Sequence, residues 1–243
     1  MVAAVIDSAI ERHDMLRLSD NTTAKISKET IADFAASHGY GTYLNDKLPF
    51  FYDYTTNSNT NLHLDNHIQG EQVAGIIAGN GQERPDGRYI LGVAPEAQIL
   101  SMKVLGRTKS LTTNNVARAV YDAVALGADV IYLSLVKTVD VEDPTAEDQA
   151  AIQFATDHGV LVIKTTSNNG NAMAIHGTSV PGGTTAGYIT TNDSTLSLTG
   201  GGLSALTIAS ENSALGTKSA MAYNSSWGPT TDYKLKPDLT TPG

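Results

Sequence analysis

Short runs of consecutive apolar residues alternate along the chain with stretches in which apolar residues recur every three or four positions. Residues 2–6, Val2-Ala3-Ala4-Val5-Ile6, form the first such run and predict a buried strand. Residues 99–105, 130–135 and 160–163 predict three more, and residues 206–209 a fifth. Between them the period changes. Residues 73–78 continue a helix that begins near Gln69. Val116, Val120, Ala123 and Val124 share one helical face, with Thr112 or Thr113 as N-cap and Gly127 as the stop. Asp143-Pro144 opens a further helix, an acidic cap followed by proline at the first turn. Ala150, Ala151, Phe154 and Ala155 are expected to line that helix, and Gly159 to end it. Strand–helix alternation of this kind predicts an α/β fold, a parallel sheet with helices on its faces and right-handed crossovers. Functional groups in such sheets gather at the carboxyl ends of the strands.

Two stretches interrupt the pattern. Residues 8–66 are polar and rich in Asp, Asn, Thr and Tyr, which reads as an elaborated surface insertion; residues 184–202 read as a hairpin or loop. No internal repeat is evident. A length of 243 residues fits a single domain spanning 1–243. With 41% apolar and 17% charged residues the composition is globular rather than disordered. A net charge of -9 without a Lys/Arg cluster argues against nucleic acid as a partner. The absence of cysteine excludes a disulfide framework, a thiol nucleophile and a thiolate metal site. No apolar run reaches the length of a membrane span, and no signal peptide precedes the first strand. A chain that opens directly on a buried strand suggests that upstream sequence has been removed or lost.

Several segments carry chemistry. Val5-Ile6-Asp7-Ser8-Ala9-Ile10 ends a strand in a carboxylate. Gln69-Gly70-Glu71-Gln72-Val73-Ala74-Gly75 opens a helix. Leu91-Gly92-Val93-Ala94-Pro95 leads into Met102-Lys103-Val104, and Gly127-Ala128-Asp129-Val130-Ile131 into Ser134-Leu135. Ser225-Ser226-Trp227-Gly228-Pro229 and Lys236-Pro237-Asp238-Leu239-Thr240-Thr241-Pro242-Gly243 close the chain. In this order the set resembles the subtilisin superfamily of serine proteases, and within it the lactocepin-type cell-envelope proteinases and related streptococcal surface peptidases. The resemblance implies a subtilisin-like three-layer fold around a central parallel sheet, with its C-terminal part missing.

It also implies roles for particular residues. Asp7 matches the triad aspartate, a buried carboxylate that orients the catalytic imidazole and stabilises its charged form. Where the family carries His-Gly-x-His-Val-Ala-Gly, this chain has Gln69 in place of the general base and Gln72 in place of the second histidine. A carboxamide does not titrate near neutral pH and cannot take a hydroxyl proton. His63 and His67 lie upstream at the wrong register, and His13, His38, His158 and His176 match no catalytic motif. The family's serine motif lies beyond Gly243. Gly177-Thr178-Ser179 copies its letters but runs into a turn, so Ser179 reads as a decoy. Asn168, in Thr166-Ser167-Asn168-Asn169-Gly170, matches the oxyanion donor. Ser134, Leu135 and Val136 match the substrate-binding strand, with Val136 where the family has glycine; Ala9 likewise replaces the glycine after the aspartate. No cofactor is expected. Calcium is common in the family, and residues 8–66 hold Asp20, Asp33, Asp46 and Asp53, but at no recognisable ligand spacing.

Three readings follow. The chain is an active endopeptidase, if a missing C-terminal part supplies the serine and another group replaces the histidine. It is a pseudoprotease or peptide-binding module on the same scaffold, and inactivity is the reading favoured, because the chain supplies at best one triad member and no meaningful proteolysis is expected. Or it is a fragment without independent function. The resemblance implies a peptide or protein partner and a secreted or cell-wall-associated ancestor; the chain itself shows neither export signal nor anchor.

Overall fold

Strand β1 (Val2–Asp7) is buried along its whole length, as expected of a strand covered on both faces. The computed structural model describes residues 1–60, 68–83, 85–87, 89–106, 113–133, 146–165, 206–211 and 238–242. After β1 come α1 (Lys28–His38), β2 (Phe50–Asp53), α2 (Gln69–Ala78), β3 (Asn80–Glu83), β4 (Tyr89–Leu91) and β5 (Gln98–Lys103). Then follow α3 (Thr113–Ala125), β6 (Val130–Leu133), α4 (Ala146–Asp157), β7 (Leu161–Thr165), β8 (Leu206–Glu211) and β9 (Leu239–Pro242). Two compact units divide the chain, Met1–Tyr132 and Leu133–Gly243.

In the first unit the strands lie in the order β2-β5-β1-β6. β1 and β2 both pair with β5 in parallel, and β3 and β4 form a separate antiparallel pair. Ala3, Val5 and Ile99 pack with Ala74 and Ala78 of α2, so the odd-numbered residues of β1 and β5 face that helix. The even residues Val2, Ala4 and Ile6 are buried on the opposite face. Helix α3 packs against β1 and buries Val116, Ala117, Val120 and Ala123. Gly127 follows α3 with φ +76°, the left-handed geometry that ends a helix.

The second unit holds β7, β8 and β9 in that order, each pair parallel. Helix α4 buries Asp148, Ala151, Ile152 and Ala155, a stripe at helical spacing. The expected lining is corrected at two positions. Ala150 is exposed, and Phe154 turns outward to stack on His158 at 4.0 Å, because both lie off that stripe. Gly159 ends the helix at φ +78° as expected, whereas Asp143-Pro144 lies outside the described residues.

Residues 8–66 differ from the surface insertion expected of them. Ile10, Leu16, Ile26, Ile31, Phe34, Leu48, Phe50, Phe51, Tyr52 and Tyr54 are all buried, and β2 adds a strand beside β5. The signals were local. Ser27 and Thr30 make a reciprocal capping box at the start of α1, and Leu48-Pro49-Phe50-Phe51-Tyr52 is an apolar run inside a polar stretch. Residues 184–202 lie outside the described residues.

Candidate active-site region

Asp7 ends β1 at the carboxyl edge of the sheet with no solvent exposure. Its Oδ1 accepts the Ser8 N–H at 2.6 Å, while Oδ2 is buried and accepts no hydrogen bond from the described residues. Burial pushes the Asp7 carboxyl up from 3.8 to about 6, because the charged form loses its water; the bonds from Ser8 offset part of that rise. The Asp7 carbonyl oxygen receives the N–H groups of Val104 and Leu105, which ties the end of β1 to the chain leaving β5.

The first turn of α2 is pinned against this corner. Gly70 N–H donates to Ser8 Oγ at 2.9 Å. A Cβ on Gly70 would lie 2.5 Å from the Ser8 carbonyl oxygen, so only glycine permits this approach. Gln69, the first residue of α2, is exposed and stands one residue upstream of that contact. Ile68 precedes it and provides no side-chain cap. The pinning of Gly70 to Ser8 brings the start of α2, with Gln69, to the corner where Asp7 ends β1. No imidazole among the described residues bonds Asp7. His13 Nδ1 accepts from Met15 N–H, His38 stacks on Phe34, and the His158 ring packs on Phe154. His63, His67, His176, Ser134, Leu135, Val136, Asn168 and Ser179 lie outside the described residues.

Two features of the region were not anticipated from the motifs. First, Lys103 of β5 lies in register with Asp7 on one side and Asp53 on the other. Its ammonium pairs with Asp53 Oδ2 at 3.3 Å, both side chains fully buried. Asp53 Oδ1 accepts from Thr55 N–H at 2.8 Å, Thr55 Oγ1 at 2.6 Å and Thr56 N–H at 3.2 Å. Burial alone would raise the Asp53 carboxyl. The bonds from Thr55 and Thr56 and the Lys103 charge outweigh it and hold the group below its ordinary value. The available signal was a lone lysine inside an apolar strand, which must find a partner when buried.

Second, the opposite face of the sheet carries a polar cluster under α3. Asp122 accepts from Tyr54 OH at 2.7 Å and Tyr40 OH at 2.9 Å, and Arg118 lies 5.1 to 6.0 Å from the ring centres of Tyr40, Tyr52 and Tyr54. Burial raises the Asp122 carboxyl, opposed by the two phenols and Arg118. This cluster locks the turn after β2 to α3, with Arg118 Nη1 donating to Asn57 Oδ1 at 3.1 Å.

As a calcium site, Asp53 does not fit, since its oxygens are engaged by Lys103, Thr55 and Thr56. Among the described residues no three His, Asp or Glu side chains converge as a metal site would require.

A model of the subtilase family, peptidase family S8, matches residues 1–243. The chain belongs to the subtilase family. Among curated subtilases it is 35% identical over 180 residues to the PII-type proteinase of Lactococcus lactis subsp. cremoris. That alignment covers 70% of this chain and 9% of the relative. It is 33% identical over 175 residues to the C5a peptidase of Streptococcus pyogenes serotype M1, covering 69% of this chain and 15% of that protein. The matched region is therefore a small part of these much longer relatives. Among solved structures, the S41 psychrophilic protease superposes with a TM-score of 0.58 at 22% identity, over 99% of this chain and 65% of that one. Sphericase gives 0.57 at 19% identity, over 100% and 68%. These likenesses show the subtilisin-like α/β fold that the motifs implied. Among the described residues no helix is long and apolar enough to cross a membrane.

Proposed function

We propose that this subtilase chain is a part of a serine-peptidase domain that engages peptide or protein chains but, as it stands, does not cleave them. Asp7 is the orienting carboxylate of the ancestral triad, and Gln69 occupies the seat of the general base without its chemistry. Asn168 is the oxyanion donor of the ancestral site, and Ser134, Leu135 and Val136 are its substrate strand. The observation that carries the reading is the corner itself. α2 is pinned to Ser8 through Gly70, its first residue is a carboxamide, and Asp7 Oδ2 bonds no group among the described residues. In subtilisin, loss of the triad serine or histidine costs on the order of a million-fold in turnover. By descent the molecule is secreted or attached to the cell wall, a reading that rests on its resemblance to the cell-envelope proteinases.

The test is turnover of casein or a fluorogenic peptide, with labelling by a serine-directed fluorophosphonate. No turnover and no labelling are expected. Hydrolysis that is lost on Gln69→Ala or Ser179→Ala overturns the proposal.

A further inference from the structure

Asp7, Lys103 and Asp53 form one row across three neighbouring parallel strands, with Lys103 in the middle. Val5 and Ile99 both face α2, so Asp7 and Lys103, each an even number of residues further along its strand, face it too. Asp53 is in register with Lys103 in a parallel pair and shares that face. Neighbouring strands lie about 4.8 Å apart, within reach of a lysine's four-carbon stem on either side. An ammonium carries three donors. The two flanking carboxylates are unequally supplied. Among the described residues Asp53 Oδ1 has three donors besides the ion pair at Oδ2, whereas Asp7 has the Ser8 N–H on Oδ1 and none on Oδ2.

We propose that Lys103 is a shared ammonium and a positioning residue for the Asp7 corner: it is held by Asp53 and answers to Asp7 whenever Asp7 loses its proton. The row then sets the charge at the site, not Asp7 alone. With Lys103 paired to Asp53, no cation among the described residues pairs with the buried Asp7, which keeps its proton to a higher pH. When Asp7 ionises, its bare Oδ2 becomes the second acceptor for an ammonium one strand away. The other charged groups on the packing elements are Glu71 in the first turn of α2, half-buried, and Arg118 and Asp122 of α3, which are engaged with the tyrosines on the opposite face. The inference does not depend on whether the chain cleaves peptides. Turnover would overturn the function proposed above and leave this one standing.

The experiment is an NMR titration of the intact chain from pH 4.5 to 8, reading the Asp7 13Cγ and Lys103 15Nζ resonances together. The Lys103 resonance is expected to shift with the same midpoint as Asp7. A Lys103 resonance that stays flat through the Asp7 midpoint overturns the proposal, and this arm needs no variant to fold. In Asp53→Asn the ammonium is released toward Asp7, and the Asp7 midpoint is expected to fall by about one to three pH units. An unchanged Asp7 midpoint in folded Asp53→Asn overturns the proposal as well.

Discussion

Replacing Asp7 by asparagine should stabilise the chain at neutral pH and leave it nearly unchanged in acid. Asparagine keeps the shape of the side chain and an oxygen for the Ser8 N–H, but carries no charge to bury. In the folded protein the Asp7 carboxyl titrates at about 6 instead of 3.8. The folded state therefore holds this proton more tightly than the unfolded chain. Below pH 3.8 both states are protonated and the group costs nothing. As pH rises toward 6 the unfolded chain ionises first, and stability is lost progressively; above 6 the loss is complete. The gap between 3.8 and about 6, at about 1.4 kcal/mol per pH unit, amounts to about 3 kcal/mol. No discount for solvent screening applies, because Asp7 has no exposure. Urea denaturation of the wild type and Asp7→Asn at a series of pH values isolates this contribution, since every other titrating group is common to both. The two curves should meet near pH 4 and separate by up to about 3 kcal/mol by pH 7.5, with Asp7→Asn the more stable. Curves that run parallel, or an asparagine variant that loses stability as pH rises, would refute the argument that burial of an unpaired carboxylate strains this corner.

Three further outcomes are expected. Gly70→Ala should lower stability by about 1–3 kcal/mol in thermal melting, because its Cβ would meet the Ser8 carbonyl oxygen at 2.5 Å; Gly75→Ala, five residues along the same helix with nothing within 4 Å, should raise it by about 0.5–1 kcal/mol. Tyr54→Phe should cost about 1–3 kcal/mol, and more at pH 8 than at pH 4, because the lost phenol stabilises the ionised form of Asp122. Burial pushes the Lys47 amine down from 10.5 to about 8. Folding therefore releases its proton only between about pH 8 and 10, and stability should rise across that window in the wild type; that rise should be missing from Lys47→Met in paired denaturation curves.

The elements legible in the sequence were those whose apolar pattern is continuous. β1, β5 and α3 announce themselves because both faces of a parallel strand, or one full stripe of a helix, must be apolar. β2 was hidden because it pays part of its burial in polar atoms: Tyr52 and Tyr54 are buried with their hydroxyls engaged, and Asp53 with a lysine across the sheet. Such a strand is apolar only once its partners are known, and the partners of Asp53 and Tyr54 lie about fifty to seventy residues away along the chain. Phe154 of α4 was misplaced for the converse reason, since an apolar residue adjacent to a buried stripe is satisfied by one aromatic neighbour at the surface.

The same contrast explains the site. Asp7 and Gln69 could be located from motifs, because a carboxylate ending a buried strand and a glycine inside the first turn of a helix are local features. What those motifs could not convey is the state of the carboxylate. An orienting aspartate is tolerated in a buried place when an imidazole N–H answers it. On the proposed reading, with a carboxamide at the base position and Oδ2 without a hydrogen bond among the described residues, the same burial becomes a cost that the bonds from Ser8 offset only in part. On the function proposed above, this corner is a scaffold shaped for acid–base chemistry with its base replaced, and a buried acid at position 7 beside the Gly70 anchor and the Asp53–Lys103 pair is the arrangement that proposal accounts for.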